Sequence, residues 1–145
     1  MNPICVRILR PGAKLPVYGT AEAAGADLCA CIDGDLVIEP GKTAFVPTGF
    51  AMEVPKGCAG LIYARSGMAC KRGLAPANKV GVVDSDYRGE IMVALYNHGT
   101  EPQRISHGDR IAQMIITPVI TPEYVLAENL DDTARGQGGF GSTGK

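Results

Sequence analysis

The C-terminal run Arg135-Gly-Gln-Gly-Gly-Phe140-Gly141-Ser142-Thr143 holds a dense set of groups able to meet phosphate. Consecutive glycine N–H groups wrap phosphate oxygens, a guanidinium pairs with them, and neighbouring hydroxyls donate further hydrogen bonds. Phe140 adds a flat apolar face that can stack on a base or ribose. The spacing Gly136-x-Gly138-x-x-Gly141 also matches the dinucleotide fingerprint as a string, but that fingerprint works only between a strand and a following helix. Only four residues follow Gly141, so this reading fails. A P-loop reading fails with it, because the lysine and the helix are both missing. A solvated Gly-rich tail is the bland alternative, and this stretch alone leaves both open.

Two further stretches carry candidate chemistry. Asp84-Ser-Asp86-Tyr87-Arg88-Gly89 begins like a calcium loop, yet Arg88 and Leu95 stand where oxygen ligands are needed. Read instead as a turn between Val80–Val83 and Ile91–Tyr96, it makes a β-hairpin with Asp84 at its mouth. A carboxylate there could orient water, or simply cap the turn through its own backbone. Arg65-Ser66-Gly67 opens a short helical run, with Ser66 expected as the N-cap and Gly73 as the residue past its end. A helix N-terminus beside an arginine is an anion site; an ordinary cap on a connecting helix explains the same segment.

These groups need strands to position them. Short β-branched segments at Ile4–Leu9, Leu36–Ile38, Thr43–Val46, Phe50–Val54, Ala59–Ala64, Val80–Val83, Glu90–Asn97, Arg110–Thr117 and Val119–Val125 read as strands. Within Glu90–Asn97 the residues Ile91, Val93 and Leu95 fall on one face and Met92, Ala94 and Tyr96 on the other. Nineteen glycines and ten prolines supply the turns between them. The expectation is an all-β fold, a jelly roll or barrel-like sandwich with one short helix. The 145 residues fit one core over 1–130. A Gly-rich tail over 131–145, expected to be flexible, has too little apolar surface to order itself.

Composition excludes several classes. A net charge of −1 provides no global field for nucleic acid or an anionic membrane, so phosphate recognition must be local. No apolar run reaches the ~18 residues of a membrane helix. Five cysteines, an odd number, with no evident secretion signal fit reduced thiols and a cytoplasmic location. Cys29-Ala-Cys31 has no second pair, and His98 and His107 are isolated, which argues against zinc.

The chain also carries Ala24-Gly-Ala-Asp27-Leu, Arg65-Ser66-Gly67, Gly81-Val82-Val83-Asp84-Ser-Asp-Tyr87-Arg-Gly89, Gly108-Asp-Arg-Ile-Ala-Gln113-Met-Ile and the Arg135 run, in that order. In order and spacing these resemble the five motifs of the homotrimeric dUTPases, over nearly the whole length from Val6 to Gly144. The third and fifth motifs are the specific ones. The resemblance implies a jelly-roll homotrimer with shared active sites that splits dUTP into dUMP and pyrophosphate by water attack at the α-phosphorus, with Mg²⁺. It implies that Asp84 orients and deprotonates the water, and that Arg65, Ser66, Gly67 and Gln113 contact phosphates. Tyr87 would pack on the deoxyribose. Asn78 and the backbone at Val82, Val83 and Met92 would form the uracil slot. Asp27 would meet Mg²⁺ through water only, with no direct protein ligand. Phe140, Gly141, Ser142, Thr143 and Arg135 would close as a lid over the nucleotide on neighbouring chains. The family usually has Pro where Ala64 stands and Leu where Met68 stands. A dCTP deaminase shares the implied fold but is expected to carry Glu where this chain has Asp84. A bifunctional dCTP-to-dUMP enzyme meets the same objection, and a non-catalytic dUTP-binding regulator is the remaining alternative. The implied partners are two further copies of the chain and a small nucleotide, with no nucleic acid and no membrane.

Overall fold

The computed structural model describes residues 3–139, so Phe140, Gly141, Ser142 and Thr143 lie outside the described residues. Among these residues, twelve strands and one helix follow in chain order. They are β1 (Val6–Ile8), β2 (Val17–Tyr18), β3 (Ala26–Cys29), β4 (Leu36–Ile38), β5 (Thr43–Pro47), β6 (Phe50–Met52) and β7 (Cys58–Tyr63), then α1 (Ser66–Arg72), and then β8 (Leu74–Pro76), β9 (Gly81–Val83), β10 (Met92–Asn97), β11 (Gln103–Ile105) and β12 (Arg110–Pro118). A five-stranded sheet runs β2-β3-β12-β7-β9. Three smaller sheets, β5-β10-β8, β1-β6 and β11-β4, complete the architecture, and every pairing is antiparallel.

One core joins the inner faces. Leu28, Ile62, Ala112 and Met114 from the large sheet pack in a single cluster with Ile38, Val46, Phe50, Val93, Leu95 and Ile105 from the smaller ones. This is the all-β sandwich that short alternating strands dictate. The alternation on β10 holds: Ile91, Val93 and Leu95 are buried and Met92 is exposed.

Three sequence expectations need correction. Val119–Val125 forms no strand: residues 119–137 lie exposed and outside every sheet. Pro122 removes a backbone donor from the middle of that stretch, which disfavours a regular ladder. Ser66 is not the N-cap but the first residue of α1; Arg65 takes the cap position in extended conformation, without a side-chain cap bond. Gly73 does end the helix, with φ +65°. Finally, the segments around Asp84 do not pair as a hairpin. Among the described residues β9 bonds only to β7, and β10 lies between β5 and β8 in another sheet, so residues 84–91 cross from one layer to the other.

Fully buried Asn97 locks the second layer. Its amide donates to Ile38 O and Glu101 O, each at 2.8 Å, and its carbonyl oxygen accepts the Gly99 N–H at 2.9 Å. Asn97→Leu would orphan all three backbone groups, each costing about 1–3 kcal/mol where it stays buried. A urea titration is expected to show a lowered midpoint with an unchanged slope.

Candidate active site

Two clusters of polar side chains emerge on the frame. The first stands on the outer face of the large sheet. Asp27 of β3 sits directly across from Gln113 of β12, which in turn faces Tyr63 of β7. The β3–β12 register shifts between Arg110 and Ala112, so Ile111 and Ala112 both reach the core. Arg110 is thereby turned to the same face as Gln113 instead of the opposite one. A bulge that re-aims a side chain beside a site is the usual use of such a defect.

That bulge brings two guanidiniums onto one carboxylate. Arg65 Nε donates to Asp27 Oδ1 at 2.6 Å and Arg110 Nη1 to Asp27 Oδ2 at 3.3 Å. Asp27 and Arg65 are largely covered, at 14% and 24% side-chain exposure, whereas Arg110 stays open. The largely covered Arg65–Asp27 bond contributes about 1.5–3 kcal/mol, whereas the open Arg110–Asp27 pair, screened by solvent, adds about 0–1 kcal/mol. Gln113 Nε2 donates to Ala64 O at 2.9 Å, which steadies the turn leading into Arg65 without the proline expected there. Ser66 and Gly67 lie exposed next to Arg65. The cluster therefore offers one positive charge in excess, fixed in place, beside an open hydroxyl.

The second cluster is a cleft of about 340 Å³ between the two layers, within the range of small-ligand sites. Asn78, Val82, Val83, Asp84, Tyr87 and Met92 line it, so the structure brings together these residues expected around the base and sugar, while Phe140 lies outside the described residues. Since β9 bonds only to β7 and the β10–β8 ladder begins at Leu95, the facing edges near Val82 and Met92 have backbone groups with no ladder partner. A flat ring bearing alternating donors and acceptors can supply that partner. Asp84 is exposed at the end of β9. Among the described residues no hydrogen bond or ion pair engages its carboxylate, which is the condition a water-activating base requires.

The crossing arm is itself well held. Arg88 Nη1 donates to Ser85 O at 2.8 Å and Tyr87 O at 3.0 Å, and Tyr87 N–H bonds to Asp84 O at 3.2 Å. Tyr87 donates its hydroxyl to Glu90 O at 3.0 Å.

Within one chain the two clusters are separate: the cleft lining includes none of Asp27, Arg65, Ser66 and Gln113. Arg135 joins neither, since its Nε donates to Gly138 O at 2.9 Å inside the exposed tail. Sequence reading missed Arg110, Phe45 and Glu90. Arg110 sits inside the quoted Gly108–Ile115 motif but needed the bulge to face Asp27; Phe45 and Glu90 line the cleft without any local pattern that says so. Among the described residues no group of three His, Cys, Asp or Glu side chains is placed to hold a metal ion. No helix among them is long and apolar enough to cross a membrane.

A strand sandwich with unladdered backbone edges in a cleft and a buttressed guanidinium on its outer face has the groups to meet a planar ring and an anion. A sequence profile of the dUTPase family matches residues 12–144. The chain is 54% identical to the deoxyuridine 5'-triphosphate nucleotidohydrolase of Desulfitobacterium hafniense (strain DSM 10664 / DCB-2), over 99% of each. It is 47% identical to the enzyme of the same name from Anaeromyxobacter sp. (strain Fw109-5), again over 99% of both. Among solved structures, the Staphylococcus bacteriophage 80alpha dUTPase with dUPNHPP superimposes with a TM-score of 0.89 at 28% identity, covering 100% of both chains. The chain belongs to the dUTPase family.

Beside this cluster, burial pushes the Cys29 thiol up from its ordinary value, and Asp27 adds to the effect while Lys14, Arg110 and Arg65 oppose it. The folded thiol keeps a proton that the unfolded chain releases near about pH 8.5. The folded state then binds more protons, and stability falls as pH rises through that value. Chemical unfolding from pH 7.5 to 10 is expected to show this decline, and Cys29→Ala to flatten it.

Proposed function

We propose that this chain is a dUTP diphosphatase that forms dUMP and pyrophosphate, keeping uracil out of DNA and supplying dUMP for thymidylate synthesis. The observation that carries the reading is the cleft itself, where Asn78, Val82, Val83, Asp84, Tyr87 and Met92 converge in a member of the dUTPase family. Uracil enters with its polar edge against the open backbone of β9 and β10. A slot built this way rejects cytosine, whose exocyclic amine presents a donor where an acceptor is needed, and it leaves no room for the thymine methyl. Tyr87 packs on the deoxyribose and occupies the space a 2′-hydroxyl would need. Asp84 takes the proton of a water that attacks the α-phosphorus; the bond to the bridging α–β oxygen breaks, and pyrophosphate leaves with that oxygen.

Arg65, Ser66, Gly67 and Gln113 hold the phosphates, with Arg110 sharing Asp27 so that Arg65 keeps its place. Mg²⁺, a hard cation that retains several waters and takes most remaining ligands from substrate phosphates, would need no direct protein ligand here. Asp27, its carboxylate already bonded to two guanidiniums, would reach it through water. Bound with the triphosphate, Mg²⁺ supplies charge neutralisation at the phosphoryl oxygens.

Two half-sites that do not meet within one chain fit a homotrimer in which the phosphate cluster of one copy completes the cleft of another. Residues 131–145 act as the lid, Arg135, Gly141, Ser142 and Thr143 closing on the phosphates and Phe140 over the base. The core over 1–130 folds without them. No helix or basic face is assigned to nucleic acid or membrane, and the cytoplasm, where deoxynucleotides are made, is the expected location.

Incubation with Mg²⁺ and dUTP, dCTP, dTTP or UTP, reading pyrophosphate and ammonia, tests the assignment. Pyrophosphate from dUTP alone is expected; ammonia from dCTP would mark a deaminase, and no product a binding protein. Asp84→Asn is expected to bind dUTP normally while kcat falls about 10²–10⁴-fold; turnover at the wild-type rate would refute the base role. Deleting residues 131–145 should leave a trimer by light scattering with a strongly reduced kcat.

A further inference from the structure

Tyr87 can select against a 2′-hydroxyl only if its ring is held at a fixed height in the cleft, yet it sits on an exposed crossing arm. Its hydroxyl does not reach the core directly. It donates to the backbone oxygen of Glu90, and Glu90 is where the arm is anchored. The Glu90 carboxylate, only 19% exposed, accepts the Gly49 N–H at 2.9 Å and pairs with Arg10 Nε at 3.4 Å. Gly49 is immobile. Its φ of +77° and the lack of space, with Ala13 Cβ and Cys31 Sγ each 2.7 Å from where a side-chain carbon would stand, pin it between two loops. The adjoining residues are bonded as firmly: Thr48 Oγ1 donates to Ile91 O at 2.6 Å, and Ile91 N–H to Phe50 O at 2.9 Å.

The ring is also seated from below. A side-chain carbon on Gly89 would stand 2.6 Å from Tyr87 Cζ, so the aromatic ring lies across a gap that only glycine leaves. Tyr87, Gly89 and Glu90 thus form a latch that transmits the rigidity of the Thr48–Phe50 turn to the sugar position.

We propose that Glu90 is a positioning residue for sugar discrimination: by clamping the arm onto Gly49 N–H it sets the height of Tyr87 and hence the preference for deoxyribose over ribose. The proposal rests on the dUTPase reading above. The carboxylate's reach matters more than its charge. Glu90→Gln keeps an acceptor for Gly49 N–H, Glu90→Asp keeps the charge but falls a methylene short, and Glu90→Ala loses both.

Steady-state kcat and KM for dUTP and UTP, measured on the Mg²⁺-loaded full chain beside melting curves, test it. Glu90→Ala and Glu90→Asp are expected to lower the dUTP-to-UTP ratio of kcat/KM by about tenfold or more, the scale on which small steric fits discriminate. Glu90→Gln should stay within about threefold of wild type, equivalent to less than about 0.7 kcal/mol. Gly89→Ala, which displaces the same ring, should lower the ratio as Glu90→Asp does, and the two together should not exceed either alone. A folded Glu90→Ala or Glu90→Asp chain with an unchanged ratio overturns the proposal, as does a Glu90→Gln loss equal to that of Glu90→Asp. If Glu90→Ala does not fold, Glu90→Asp against Glu90→Gln decides. A wild-type chain inert toward dUTP would instead remove the functional reading beneath it.

Discussion

Backbone polar groups in a folded protein must find partners, and the candidate site exists because two strand edges here do not find them in each other. β9 and β10 are near neighbours in sequence, yet they belong to different sheets. Had they paired as a hairpin, Val82 and Met92 would have spent their N–H and C=O groups on one another and no slot would remain. Separation of the layers at this point leaves the edges unladdered inside a cleft, where another chain cannot easily add a strand. The surrounding frame absorbs the consequence: no buried side-chain polar atom among the described residues lacks a partner. Asn97 satisfies three backbone groups at the far end of β10, so the strand is fixed where it is closed and free where it is open.

Electrostatics at the second cluster follow a similar economy. A lone arginine at Arg65 would be a flexible charge on a surface turn. Asp27 converts it into a directed group, at the cost of cancelling its charge, and Arg110 restores the balance in favour of an anion. Restoring it required the bulge in β12, without which Arg110 would face the wrong side of the sheet. The chain's net charge of −1 is therefore no obstacle to phosphate recognition, because the positive field is local and held by geometry.

Much of this was legible in the sequence. The alternation through Ile91, Val93 and Leu95 identified β10 and its buried face, and Asn78, Val82, Val83, Asp84, Tyr87 and Met92, which the family resemblance singled out, line one cleft. What escaped depended on tertiary context. Ala26–Cys29 and Gln103–Ile105 carry too few β-branched residues to read as strands, Leu74–Pro76 contains a proline, and Val17–Tyr18 is too short to show a period. Val119–Val125 had the composition of a strand but not the partner. Partner choice is also why the hairpin reading failed: local sequence records that Gly81–Val83 and Met92–Asn97 are strands, while which sheets accept them is decided by β7 and β5, far away in the chain. Arg110 and Glu90 were hidden for the same reason, one by a register shift and the other by a contact with Gly49 across the fold.

The proposed trimer gives a physical reason for dividing the site. A 145-residue sandwich has a single core, and a cavity enclosing a whole triphosphate nucleotide would displace part of it. Placing the base slot at the seam between layers and the anion cluster on the outer face of the large sheet keeps each half on rigid strands, with neither requiring a deep cavity that would empty the core of Leu28, Phe50 and Leu95. The described part of the tail, residues 131–139, contributes no core residue. In the proposed function, base and sugar recognition and closure over the phosphates would then fall to different parts of the chain. The arm from Asp84 to Ile91 belongs with the rigid part, because its ends are tied to β7 through β9 and to the Thr48–Phe50 turn through Glu90 and Ile91.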